Sequence, residues 1–146
     1  MSALYRRILL VVDLTEESLS IARRAQGLAA TLNATVELLH VVEFVPVEPM
    51  GETLMPSVQI EEELLARARA RLATLATSLG LEGASCHVES GAVKTEIVRV
   101  ARERQADLII LGSRERHGLS ILLNFTEDSV LHAAPCDVLA MRPERT

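Results

Sequence analysis

The chain has 146 residues, 49% of them apolar, and carries a formal net charge of −5 at neutral pH. That length suits one domain with its own buried core, expected to span residues 1–146, and the apolar share excludes a disordered chain. The acidic balance argues against nucleic acid as a partner, since that calls for a basic face. Two Phe, one Tyr and no Trp leave too few rings to stack single-stranded bases.

Taken in chain order, the first apolar run is "RILLVVD", Arg7 to Asp13, continuous as a strand covered on both faces should be. Asp13 closes it too early for a signal-peptide core. A helix follows, with Thr15 at the N-cap, Glu16 and Glu17 in the first turn, and Ala22, Ala25, Ala29 and Leu32 as its apolar stripe. The second strand is "TVELLHVV", Thr35 to Val42, in which His40 reads as a core or sheet-end residue. Residues Glu43 to Ser57 hold three of the five prolines and a glycine, so they read as a long surface loop, either a lid or a plain connection.

The second helix carries Leu64, Leu65, Ala68, Leu72, Leu75 and Leu79, opens at the carboxylates Glu61 to Glu63, and stops at Gly80. "SCHVES", Ser85 to Ser90, is the third strand; Ile97, Val100 and Ala101 mark the third helix, which ends before Asp107. "DLIILG", Asp107 to Gly112, is the fourth strand. A polar loop leads to a short helix from about Thr126 to Ala133, stopped by Pro135, and then to the last strand, "DVLAM", Asp137 to Met141. No run reaches the length of a membrane-spanning helix. Cys86 and Cys136 lack metal-ligand spacing; they read as reduced thiols of a cytosolic protein, with a disulfide or redox role as the alternative.

Strand and helix alternate throughout, which means a parallel sheet with helices on both faces. Such sheets bind ligands beyond the carboxyl ends of their strands, where the strand order reverses. Asp13 ends the first strand and Gly112 the fourth, so these two face one crevice if the strands are neighbours. Asp13 has two readings, acceptor for a ribose hydroxyl pair or bonding partner of its own loop just before Thr15. The loop after Gly112 has Arg114, Arg116 and His117 before Gly118. Glycines let backbone N–H groups approach an anion and arginine clamps it, although spacing alone favours a solvated turn. There is no nucleophile elbow, no phosphate-loop lysine, no metal-ligand spacing among the four histidines, and no recognisable arrangement of general base and nucleophile in the loop. The expectation is therefore that the protein is not an enzyme and holds no metal.

Four stretches, "ILLVVDLTEES", "LLHVVE", "ADLIILGSRERHGLS" and "SVLHAAPCDVLAMR", resemble the universal stress protein family, in order and over nearly the whole chain. The resemblance implies a Rossmann-like α/β fold, an open parallel sheet of five strands in order 3-2-1-4-5. It also implies a cytoplasmic homodimer formed through the last strand, Asp137 to Met141, which fits an apolar edge that needs cover.

Family members that bind ATP or AMP are similar in a glycine signature: Gly, two residues, Gly, nine residues, Gly, then Ser or Thr. Gly112 matches the first glycine, but the second position is Glu115. By strict spacing the third is Phe125 followed by Thr126; with a loop one residue shorter it is Asn124, with Phe125 at the hydroxyl position. Glu115 sets a negative charge where phosphate oxygens would approach, and two unit charges about 4 Å apart repel by about 4 kcal/mol at an effective dielectric of about 20. Several kcal/mol is about three decades of affinity. Asn124 is the milder change, because asparagine tolerates a left-handed backbone. Asp13 matches the family's ribose-contacting aspartate, Val41 the backbone position that recognises adenine, and Arg114, Arg116 and Gly118 lie in the phosphate loop. Two readings follow: a non-catalytic dimeric stress-response module that requires no cofactor and has a degenerate ATP signature, or an adenine-nucleotide sensor that still holds AMP or ATP weakly.

Overall fold

The computed structural model describes residues 4–43, 57–112 and 130–143. Its elements in chain order are β1 (Arg7–Val11), α1 (Glu16–Leu32), β2 (Thr35–Val42), α2 (Ser57–Ser78), β3 (Cys86–Ser90), α3 (Val93–Glu103), β4 (Leu108–Gly112) and β5 (Asp137–Met141), with a helical turn at residues 130–133 before β5. The five strands form one parallel sheet in the order β3-β2-β1-β4-β5.

Alternation along each strand divides the core into two layers. Ile8, Leu10, Val12, Leu38, Leu108 and Ile110 pack against α1 and α2, where the alanines at 22, 25 and 29 let α1 approach closely. Leu9, Leu39, Val41, Ile109 and Leu111 pack against α3 and Val130 on the other face. Apolar runs that looked continuous in sequence are thus two interleaved faces, both covered.

Helices α1, α2 and α3 stop the same way. Asn33, Gly80 and Gln105 adopt left-handed φ values of 55°, 71° and 55°. One residue further, the amides of Ala34, Leu81 and Ala106 donate back to the carbonyls of Ala29, Ala76 and Ala101, the closure expected of a left-handed C-terminal cap. Gly80 is the predicted stop of α2; the other two are met by residues other than glycine.

The starts differ more from expectation. Thr15 is the N-cap residue of α1, but its side chain makes no capping bond to the helix. Helix α2 begins at Ser57, so Glu61 to Glu63 sit beyond its first turn, which holds no acidic residue; dipole complementation, confined to the first turn, does not account for them. β3 begins at Cys86 rather than Ser85. Of the predicted fourth helix, residues 126–129 lie outside the described residues, as do residues 44–56 of the predicted long loop. The two cysteines are free; Cys86 opens β3 and Cys136 immediately precedes β5, the opposite edges of the sheet. Four strand spacings, roughly 19 Å, separate them, so they cannot form a disulfide within one chain.

One buried charge ties the β2–β3 edge to α3. Glu37, 6% exposed, accepts from His87 Nε2 at 2.9 Å and from Arg104 Nε at 2.7 Å. Burial pushes its carboxyl upward, but the hydrogen bonds from His87 and then Arg104 outweigh it and hold the group below its ordinary value. A carboxyl depressed in the folded state adds stability above its unfolded pKa, and that contribution is lost as pH falls through the folded value. Glu37→Gln is therefore expected to cost about 1–3 kcal/mol at pH 7. The gap between variant and parent closes as pH falls below the ordinary value of 4.5, which urea unfolding across a pH series measures.

Candidate functional site at the β1–β4 strand-order reversal

The strand order runs outward from β1 through β2 to β3 on one side and through β4 to β5 on the other. The carboxyl ends of β1 and β4 therefore flank the reversal point, the crevice such sheets use for ligands. Ile8 pairs with Leu108 and Leu10 with Ile110; the same register puts Val12 level with Gly112. Val11 pairs with Leu39, and Val12 extends the ladder by donating to the Leu39 carbonyl at 2.9 Å. That register puts Asp13 level with Val41. Three of the sequence-predicted site residues, Asp13, Val41 and Gly112, thus meet along the carboxyl edge of β2, β1 and β4. Arg114, Glu115, Arg116, His117, Gly118, Asn124, Phe125 and Thr126 lie outside the described residues.

Asp13 is exposed and bonded within its own turn. Its Oδ1 accepts from the Thr15 amide at 3.1 Å and from the Thr15 hydroxyl at 2.7 Å, the local pattern favoured by aspartate before a helix. This is why Thr15 occupies the N-cap without capping: its hydroxyl donates to Asp13, and its carbonyl accepts from the Ser18 amide and hydroxyl at 3.1 and 2.7 Å. Of the two readings of Asp13 from sequence, loop bonding is realised. It does not compete with the ribose reading, since a carboxylate has acceptor capacity beyond two bonds.

Between these residues Leu14 has φ +61°. The left-handed region costs a residue other than glycine about 1–2 kcal/mol, and no helix end explains it here. Side chains from two other elements hold the turn. His40 Nδ1, on β2, lies 2.7 Å from the Val12 carbonyl, so this nitrogen carries the proton and donates. Arg71 Nη2, on α2, donates to the Leu14 carbonyl. His40 thus has the sheet-end role expected of it. Arg71 was invisible to sequence reasoning, because nothing local links positions 14 and 71. Beside the turn, on the α1–α2 face rather than over Gly112, lies an open groove of about 420 Å³ lined by Leu14, Leu19, Arg71, Thr74 and Leu75 among others.

Gly112 has a packing reason to be glycine that its place in a signature does not reveal. A Cβ there would stand 2.6 Å from Ile21 Cδ1 of α1, and Ile21 is itself buried. Val41 is buried against α3, so only its backbone is presented at the strand edge. Among the described residues no group of three or more His, Cys, Asp or Glu is placed to hold a metal ion, and no helix is long and apolar enough to cross a membrane.

Fold and crevice together define a Rossmann-like α/β domain with an aspartate-bearing turn at its strand-order reversal. The chain belongs to the universal stress protein family, whose sequence model matches residues 4–142. It is 36% identical over 138 residues to universal stress protein A homolog 1 of Coxiella burnetii, covering 94% of this chain and 96% of that one. Homolog 2 of the same organism is 34% identical over 139 residues, covering 94% and 95%. Among solved structures, the universal stress protein UspA from Lactobacillus plantarum superposes with a TM-score of 0.71 at 25% identity, over 97% of this chain and all of that one. A universal stress protein in complex with cAMP does so at 0.69 and 22% identity, over 97% and 98%.

The contact between Gly112 and Ile21 yields a direct test of why position 112 is glycine. Gly112→Ala is expected to destabilise the fold by about 1–3 kcal/mol through overpacking. Ile21→Val, which removes the opposing Cδ1, should recover most of that loss in the double variant. Chemical denaturation of the four proteins gives the coupling energy; strictly additive effects would rule the contact out as the cause.

Proposed function

We propose that this chain is a non-catalytic, dimeric, cytoplasmic stress-response module whose ATP cradle is degenerate. The observation that carries the reading is the mismatch between the two halves of the crevice. Its β1–β2 side retains Asp13 and Val41 at the sheet edge, whereas the signature after Gly112 has Glu115 at the second glycine position and, at the third, Phe125 by strict spacing or Asn124 with a loop one residue shorter. Glu115 opposes a polyphosphate by charge, and Phe125 removes the room and the backbone freedom of a third glycine. Arg114, Arg116, Gly118, Asn124 and Thr126 are the remaining loop residues assigned to nucleotide contact on this reading. No cofactor is required by it.

A second reading, an adenine-nucleotide sensor, draws on the same retained half and on a protein of this fold being known in complex with cAMP. It applies if AMP, whose single phosphate reaches less far into the altered loop, still binds weakly. Calorimetric titration separates the two. The first predicts no ATP binding at micromolar concentration, and micromolar ATP affinity would sink it. On the same logic, the double variant Glu115→Gly with Phe125→Gly is expected to gain about a hundredfold or more in ATP affinity.

Self-association through β5 is supported by its position as an edge strand, by Val138 and Leu139 being only half-buried, and by Leu131, just before it, being 58% exposed. An apolar strand edge left open invites another strand. Light scattering should give twice the chain mass of 15.9 kDa. Ala140→Lys, at an exposed β5 position, is expected to shift the population toward monomer. A parent protein that is monomeric throughout would overturn this assignment.

A further inference from the structure

We propose that Arg71 is a positioning residue for the crevice: from the middle of α2 it fixes the pose of the Asp13 carboxylate by holding the Leu14 carbonyl. The proposal rests on the reading of that crevice as a nucleoside site and adds the device that shapes it. Among the described residues, three other than glycine have positive φ, and two of them, Asn33 and Gln105, close helices. Leu14 is the third, and it stands immediately after the candidate ribose acceptor. Strained backbone of this kind persists only where its surroundings over-determine it.

Here those surroundings come from three side chains. His40 on β2 fixes the Val12 carbonyl, Arg71 on α2 fixes the Leu14 carbonyl, and Asp13 Oδ1 spans Leu14 to reach both the amide and the hydroxyl of Thr15. The two Asp13 bonds depend on the φ of the residue they bridge. If Leu14 relaxed to negative φ, the Thr15 amide would turn away and the carboxylate would lose its bonds to Thr15. The Val12 end is tied to the sheet, whose register is set by the β1–β2 ladder. The Leu14 end has only a helix and its first turn behind it, so the side chain from α2 completes the clamp. Arg71 reaches across the groove between α1 and α2, whose lining includes Leu14, Thr15 and Arg71 itself, and thereby couples the packing of α2 to a carboxylate on the far side of the turn.

The test compares Arg71→Ala, Arg71→Lys and the double variant Arg71→Ala with Leu14→Gly by amide hydrogen exchange and by AMP titration followed in the amide spectrum. Arg71→Ala is expected to speed exchange of the Thr15 amide about tenfold or more while the Ala22 and Ala25 amides of α1 keep their protection. AMP affinity should fall about tenfold with it, equivalent to about 1.4 kcal/mol. Arg71→Lys should fall between, because lysine still offers a charged donor. Adding Leu14→Gly should restore both readouts, since glycine adopts the left-handed region without strain. Unchanged Thr15 exchange in Arg71→Ala would overturn the proposal. So would equal acceleration at Ala22 and Ala25, the mark of a merely structural role, or a failure of Leu14→Gly to rescue. If the parent protein shows no AMP-induced shifts, the nucleoside reading falls separately, and Thr15 exchange alone decides whether Arg71 holds the turn.

Discussion

The position of β1, with β2 on one side and β4 on the other, is the constraint on which the rest of the structure depends. Parallel strands must be joined by right-handed crossovers. Two successive crossovers in one direction, β1 to β2 and β2 to β3, therefore set α1 and α2 on the same face. The third crossover returns over β2 and β1 to reach β4, which sends α3 to the opposite face. The strand order therefore reverses between β1 and β4, the place where such sheets leave a gap beyond their carboxyl ends. Asp13 and Gly112 meet at that gap because of handedness and strand order, before any question of ligand arises.

The residues around the gap serve two masters. Gly112 makes room for Ile21, so the glycine that opens a phosphate signature is also required by the packing of α1 on the sheet. Asp13 is an intramolecular acceptor that organises the start of α1 as well as a candidate contact for a ligand. Retention of both residues in a chain whose loop carries Glu115 is thus understandable on structural grounds alone.

Much of the architecture was legible in the chain. The apolar runs at Ile8 to Val12 and Leu108 to Leu111 announced strands covered on both faces, and Gly80 announced the end of α2. Less visible were features that depend on partners distant in sequence. Thr15 looked like a capping residue, and its position was right, but Asp13 captured its hydroxyl. Glu61 to Glu63 looked like the start of a helix, yet α2 had begun four residues earlier. Glu37 was read as one residue of an apolar strand run. A carboxylate inside such a run was a signal that it needed buried partners, but His87 and Arg104 could not be chosen from the pattern.

The sequence by itself determined the alternation of strands and helices, the two-sided burial of the sheet and the family, because each is written in local periodicity or in residue identity at fixed spacing. Strand order came into that reading through resemblance, since hydropathy carries no record of which strands pair. Only the tertiary structure decided that Asp13 lies level with Val41, that Ile21 crowds any side chain at position 112, and that Arg71 donates to the Leu14 carbonyl. Those relations join residues tens of positions apart. They are fixed by ladder register and by the meeting of helix and sheet surfaces, and such contacts exist only once the chain has closed on itself.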